Sequence, residues 1–214
     1  MRNIFKIGSP FMELLTHLAN LMLLSLLWIV CCIPVVTVVP ASVALYYVSL
    51  KMVRKVNYSI CKDFFHSFID NLKQGIVLNI VFLICIVLLS VNYFVFSSIQ
   101  SSLSQVASAI LLLLTISFLN TMLYTFPLQA QFANTVLGTL KNAFFMSIQR
   151  LPNTIIILLL NMLSVIFALI FPDAFLRIIP AWVLLAPAGT TYLCAIRFAK
   201  IFECYIPSPT NDAP

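Results

Sequence analysis

Glycine is nearly missing from this chain, with four in 214 residues. P-loops and dinucleotide fingerprints need clustered glycine so that backbone can approach phosphate, so both are excluded. Charge is almost as scarce. Charged residues make up 8 %, with six Asp and Glu against twelve Lys and Arg. Two histidines leave little material for a metal site or a general base. There is no GxSxG, no HExxH and no carboxylate pair inside an apolar run. The six cysteines show neither CxxC nor metal spacing. Cys31 and Cys32 are adjacent and Cys85 is mid-span, so they read as small hydrophobes or free thiols. A non-enzyme without metal or cofactor is expected.

What the chain has instead is apolar length. Hydrophobic residues make up 62 % and the mean hydropathy is +1.09. No soluble globular domain needs so little polar surface. The basic balance does not read as a nucleic-acid surface, because the charges are spread along the chain at the ends of apolar runs. Eleven of the twelve Lys and Arg, all but Arg177, can face one side of a membrane. That bias marks the cytoplasmic side and anchors the chain to anionic headgroups.

About 20 apolar residues cross a bilayer core as helix. Arg2 and Lys6 precede a first span at Phe11–Ile33, too long for a signal-peptide core and followed by no small-residue cleavage site. Pro34 to Pro40 form a turn. Lys51, Arg54 and Lys55 then require a return crossing, so Val35–Val53 reads as a second span, short or re-entrant. Tyr58–Gln74 is amphipathic, with Ile60, Phe64, Phe65, Phe68 and Leu72 opposite Lys62, Asp63, His66, Asp70 and Lys73. The third span is Gly75–Phe96, followed by an uncharged outer loop at Ser97–Gln105. The fourth is Val106–Phe126, closed by Pro127, and Asn134–Leu151 is a second amphipathic stretch. The fifth is Asn153–Phe171, with a turn at Pro172–Ile179. The sixth is Pro180–Ala199, with a kink expected at Pro187.

The expected fold is all-α: a polytopic membrane bundle of six transmembrane helices in three outward hairpins. Two cytoplasmic amphipathic helices join the hairpins, and both termini lie inside. One membrane domain covers 1–206, and a Pro/Ser/Asn-rich tail at 207–214 reads as disordered. Phe64-Phe65-His66-Ser67 and Phe144-Phe145-Met146-Ser147 each lead into a span. Ile33-Pro34 with Pro40-Ala41 is similar to Ile179-Pro180 with Pro187-Ala188. Duplication of a hairpin and chance in an apolar alphabet both account for these matches.

One block is more specific than composition. Asn20 to Trp28, then Ile33-Pro34-Val-Val-Thr37-Val-Val-Pro40-Ala41, then Ala44-Leu45-Tyr46-Tyr47 precede Asp63-Phe64-Phe65 and Asn71 to Gln74. With Tyr124 to Pro127 and Lys141 to Phe144, these residues resemble the YesL family of bacterial integral membrane proteins, a domain of unknown function. The resemblance runs over roughly residues 10 to 205. It departs at Val39, where the family usually has glycine. It implies a multi-pass protein of the bacterial plasma membrane, encoded beside carbohydrate uptake transporters and their sensor kinases. It supplies no catalytic residues.

Three polar groupings are candidate sites. Glu13 and His17 share a helix face and form an ionisable pair, either an interfacial pair or a proton relay or metal-ligand pair. Asp63, His66 and Asp70 line a face shared with lysines, which reads as solvated. Asn20, Asn120 and Asn161 lie at similar depth, with Thr190 and Thr191 close to that level. They read as interhelical hydrogen bonding or as the lining of a polar cavity. The function expected is an accessory or regulatory partner of a carbohydrate uptake system, docked to an ABC sugar permease or a membrane histidine kinase. A small transporter or flippase is the alternative, and a membrane enzyme built on His17 and Glu13 is the weakest reading.

Overall fold

The computed structural model describes residues 10–97, 102–132 and 134–203, and these are helical without a strand. The helices are α1 Pro10–Cys32, α2 Val38–Val53, α3 Ile60–Asp70, α4 Leu72–Ser97, α5 Ser102–Gln131, α6 Val136–Gln149, α7 Leu151–Ile170 and α8 Pro172–Glu203. Five are long and apolar enough to cross a membrane, and a sixth crossing follows if α6 and α7, bent by 102° at Arg150, make one broken span. Arg2, Lys6, Cys204 and the 207–214 tail lie outside the described residues.

The chain folds around α2. This helix touches α1, α3, α4, α5 and α8. In its most apolar stretch 67 % of α2 is buried, against no more than 22 % of α1, α4, α5 or α8. Small and medium side chains allow that enclosure, because Val39, Ala41, Val43, Ala44 and Val48 are all fully buried. Around it an aromatic core closes: Tyr46 lies 6.3 Å from Phe126 and 6.0 Å from Phe198 between ring centroids, and Tyr124 lies 5.0 Å from Phe198.

The turn into α2 explains the prolines. Pro34 opens one turn of 3-10 helix at Val35–Thr37 in extended backbone. The Thr37 hydroxyl lies 2.6 Å from the Cys31 carbonyl and 2.7 Å from that of Pro34, capping carbonyls freed at the end of α1. Pro40 falls in the first turn of α2, where a missing N–H costs little. Its ring packs on Gly75 so closely that a Cβ there would sit 2.8 Å from Pro40 Cδ. Asn79 Nδ2 donates to the Val35 carbonyl at 2.9 Å. These two contacts set the turn's height against α4. Leu72 to Asn79 is about 10 Å of helix, and about 27 Å of α4 continues beyond. The turn between α1 and α2 therefore meets α4 nearer its start than its end.

At the other end of α2, Lys55 takes a positive φ of 53°. Val56 N–H bonds the Lys51 carbonyl and Lys55 N–H bonds that of Met52, the paired closure of a Schellman cap. Lys51 then reaches Asp63 at 3.0 Å and Arg54 reaches Gln131 at 2.8 Å. Phe132 stacks edge-on to Phe202 at 5.3 Å. The ends of α2, α5 and α8 thus meet near the start of α3. Lys51, Arg54 and Lys55 close α2, Lys73 opens α4, Arg150 joins α6 to α7 and Lys200 is in the last turn of α8, whereas Lys62, Lys141 and Arg197 lie within helices and Arg177 lies near the start of α8.

Three expectations need correction. Pro127 does not close the fourth span, since α5 runs through it to Gln131. Pro172–Ile179 is not a turn: α8 starts at Pro172 and passes through Pro180 and Pro187, so the reversal is confined to Phe171. Pro172 suits the first helical position. In an apolar medium, leaving the helix would strand more backbone groups than the one bond a proline removes. Tyr58–Gln74 is two elements, because the chain breaks at Asn71 and α4 starts at Leu72. Of the paired motifs, Phe64–Ser67 and Phe144–Ser147 both precede a break into a long helix. The two Pro-Ala pairs differ, the first forming a turn and the second lying inside α8.

Gly75→Ala is expected to lower thermal stability in detergent, by about 1–3 kcal/mol for an overpacked contact. Alanine in a helix otherwise stabilises by about 1 kcal/mol, so an unchanged or raised midpoint contradicts the close approach to Pro40.

The Asp63 carboxylate loses hydration, which opposes ionisation, but the Ser59 N–H at 2.9 Å and the Lys51 ammonium outweigh it and hold the group below the usual carboxylate range. A depressed folded value stabilises above the unfolded value and is lost as pH falls through the folded one. The thermal midpoint should therefore fall on acidification below about pH 4. In Asp63→Asn that acid step should shrink while the neutral midpoint drops.

Candidate functional site

A cavity of about 310 Å³ lies between α2 and the bundle. Trp28 comes from α1, Ser42, Leu45 and Tyr46 from α2, Leu123 and Phe126 from α5, Asn161 from α7, and Ala186, Pro187, Thr190 and Thr191 from α8. The size lies at the lower edge of small-ligand pockets. Its walls are mostly apolar, with polar groups at a few points.

The prolines help to make it. Pro127 and Pro187 lack an N–H, so the carbonyls of Leu123 and Val183 lose their helical donors. Leu123 and Pro187 themselves border the cavity. One residue on, Ala188 N–H donates to Ser25 Oγ at 3.1 Å, a buried tie between α8 and α1. Trp28 Nε1 donates to Ser42 Oγ at 3.2 Å, and that hydroxyl donates to the Val38 carbonyl at 2.8 Å. Asn161 Nδ2 donates to the Ile157 carbonyl at 2.8 Å and lies 3.6 Å from Cys194 Sγ. Thr190 Oγ1 donates to the Ala186 carbonyl at 2.7 Å. Such back-bonding lets a hydroxyl sit in an apolar wall at little cost, with its lone pairs still facing the space.

The residues singled out from the sequence are distributed as follows. Asn161 and Thr191 both line this cavity. Asn20 does not; its amide reaches the Tyr58 hydroxyl at 3.3 Å, tying α1 to the segment before α3. Asn120 Oδ1 is buried without a hydrogen-bond partner among the described residues, on α5. Glu13 and His17 are exposed on α1, and the His17 ring lies 6.1 Å from that of Tyr192. Among the described residues, no three His, Cys, Asp or Glu side chains gather into a group able to hold a metal.

The resemblance residues build the α1–α2 unit. Trp28, Pro34, Thr37 and Pro40 form the tie and the turn described above. Ala41, Leu45, Tyr46 and Phe64 are buried in the packing of α2, while Phe65 is half exposed. Asn79 and Thr154 were not among the candidate site residues, and Ser25 and Tyr124 entered only as part of the blocks that carry the resemblance. Tyr124 Oη lies 2.8 Å from Thr154 Oγ1, which lies 2.8 Å from the Ser147 carbonyl. A carbonyl can only accept, so Thr154 donates to it and Tyr124 donates to Thr154. Nothing short of the tertiary packing brings these three together.

No curated protein matches the chain, and no solved structure does. One family model does match, described as protein of unknown function, DUF624, over residues 21–93. That stretch holds the end of α1, the whole of α2 and α3, and most of α4, so it covers the enclosed helix and its turn. Over residues 21–93 this multi-pass membrane chain therefore carries the YesL-like membrane domain of unknown function.

Proposed function

We propose that this protein is a non-enzymatic membrane component that assists carbohydrate uptake by docking, through its helices, to a sugar permease or a membrane sensor kinase. The supporting observation is the α4–α5 pair. From Gln74 to Leu140 the chain carries no charged residue and no histidine. Large side chains on both helices stand out of the bundle, Phe94 at 75 % exposure and Leu113 at 65 %. Exposed polar groups there are satisfied within their own helix, Asn92 Nδ2 on the Leu88 carbonyl and Ser108 Oγ on that of Gln105. A surface of this kind suits lipid and another transmembrane helix equally. The uptake setting comes from the YesL resemblance. The basic end, with Lys51, Arg54, Lys62, Lys141 and Lys200, faces the cytoplasm in this reading.

The test is crosslinking in native membranes at native expression, followed by affinity recovery. A permease subunit or histidine kinase is expected in the recovered material, joined through photo-crosslinkers on α4 or α5. Recovery of this chain alone overturns the proposal.

A second reading has its own support. The cavity holding Asn161, Thr190 and Thr191 gives a small transporter a place for a polar solute. Proteoliposomes containing only this chain should then take up labelled mono- or oligosaccharide, and Asn161→Leu should reduce uptake at least about tenfold by removing the amide. No uptake above empty liposomes removes this reading.

A further inference from the structure

The cavity bordered by Asn161 and Thr191 measures about 310 Å³. Filling it with water would take about ten molecules at about 30 Å³ each, and each would need about 2–4 polar partners. The walls cannot supply them, because their donors are nearly all spent. Trp28 Nε1 donates to Ser42 Oγ, Ser42 to the Val38 carbonyl, and Thr190 to that of Ala186. The Asn161 amide N–H groups go to the Ile157 carbonyl and toward Cys194 Sγ. The Tyr46 hydroxyl faces the Cys194 thiol.

Thr191 is the exception. It is only 7 % exposed, and no hydrogen bond to a described residue engages its hydroxyl. Among the described residues, the side-chain atoms both fully enclosed and unpaired are Ser49 Oγ, Asn120 Oδ1 and the two Gln129 amide atoms. The Thr191 hydroxyl is not one of these, so it is open to the cavity that its residue borders. A second cavity, of about 390 Å³, lies on the other side of α2, and there the Gln129 amide is sealed off from the space.

We infer that the cavity beside Thr191 holds an uncharged membrane amphiphile whose single hydroxyl group bonds the Thr191 side chain.

The chemistry of the wall selects that class. Among the described residues bordering this cavity none is charged, so an ionic head would lose its hydration without gaining a counter-charge. A hydroxyl both donates and accepts, so it takes the Thr191 hydrogen and gives its own to an acceptor. Acceptors are at hand in the back-bonded Thr190 oxygen and in Leu123, whose carbonyl lost its donor to Pro127. Beyond this polar point the walls are Trp28, Leu45, Tyr46 and Phe126, which suit an acyl or isoprenoid chain. The bilayer supplies such molecules directly. The inference stands apart from both functional readings: it needs no docked permease, and a transported sugar would compete for the same space.

Quenching of Trp28 fluorescence tests it. The chain has two tryptophans, so Trp182→Phe leaves Trp28, on the cavity wall, as the reporter. In phosphatidylcholine nanodiscs, a terminally brominated undecanol is titrated beside bromoundecane and bromoundecanoate. Bromine quenches on contact, and all three quench from the lipid in proportion to their amount. The alcohol alone is expected to add a component that saturates, and unbrominated dodecanol should relieve that component. Thr191→Val keeps the branched shape and removes the hydroxyl. It should raise the half-saturating concentration about tenfold, with the thermal midpoint unchanged or higher. Thr191→Ser should bind within a few-fold of the native chain. A wholly structural Thr191 would move the midpoint and leave the titration alone. Competition by dodecanol needs no variant at this position, so a misfolded Thr191→Val does not blunt the test. The inference is overturned if the alcohol does not saturate, if bromoundecane or bromoundecanoate saturates equally, or if folded Thr191→Val titrates like the native chain. Relief of quenching by D-glucose and not by dodecanol also overturns it, and gives the cavity to a polar solute.

Discussion

Water does not reach the middle of a bilayer, so each backbone N–H and C=O there needs a partner within the protein. The packing around α2 follows from that constraint. Where the chain reverses between α1 and α2, Thr37 and Asn79 supply the missing donors to Cys31 and Val35. Where proline interrupts α8, Ser25 receives the next N–H. Where α6 breaks into α7, Thr154 spans the gap to Ser147 and takes Tyr124 with it. Each of these side chains is small and polar, and each lies at a point where helical bonding fails. Between such points the helices need nothing polar, which is how a chain with 8 % charged residues can still fold to one arrangement.

Lipid is as apolar as leucine, so burial alone does not draw helices together in a membrane; close contact and internal hydrogen bonds do. The Gly75–Pro40 approach is of this kind, and it fixes how deep the first hairpin sits against α4. The outer helices keep their large side chains for lipid or a partner, and α2 keeps its small ones for its neighbours. On either flank of α2 lies a space with polar walls, one bordered by Tyr46 and the other by Tyr47. Adjacent residues of one helix point in directions about 100° apart, so a single buried rod can serve two separate cavities.

Much of this was legible in the sequence wherever a stretch was long and uniformly apolar. The helices α1, α4 and α7 emerge within a few residues of their observed limits, because hydropathy and the flanking Lys and Arg act over a whole helix. Proline misled the reading at Pro127 and at Pro172 to Pro187. As a helix breaker it is reliable in water, where freed carbonyls find solvent, and much less so in lipid. That error hid the last turn of α5, since residues after Pro127 read as lying outside the membrane helix. The asparagine layer shows a second limit. Depth along each helix was readable, but rotation about its axis was not. Asn161 consequently reaches a cavity with Thr191, while Asn20 meets Tyr58 and Asn120, half-buried, turns its amide oxygen inward elsewhere on α5.

The enclosure of α2 also bears on how the protein is made. The helix precedes α5 and α8 in the chain, so these two, which complete its coat, are made after it. At 16 residues it spans about 24 Å, less than a bilayer core. With the 3-10 turn before it the apolar segment runs from Val35 to Val53, and it is made beside α1 before most of its coat exists. A chain halted before α8 would lack Phe198, Phe202 and Ala188 from the core and would leave α2 incompletely covered. Of the helices that coat α2, the one farthest along the chain, α8, closes the fold.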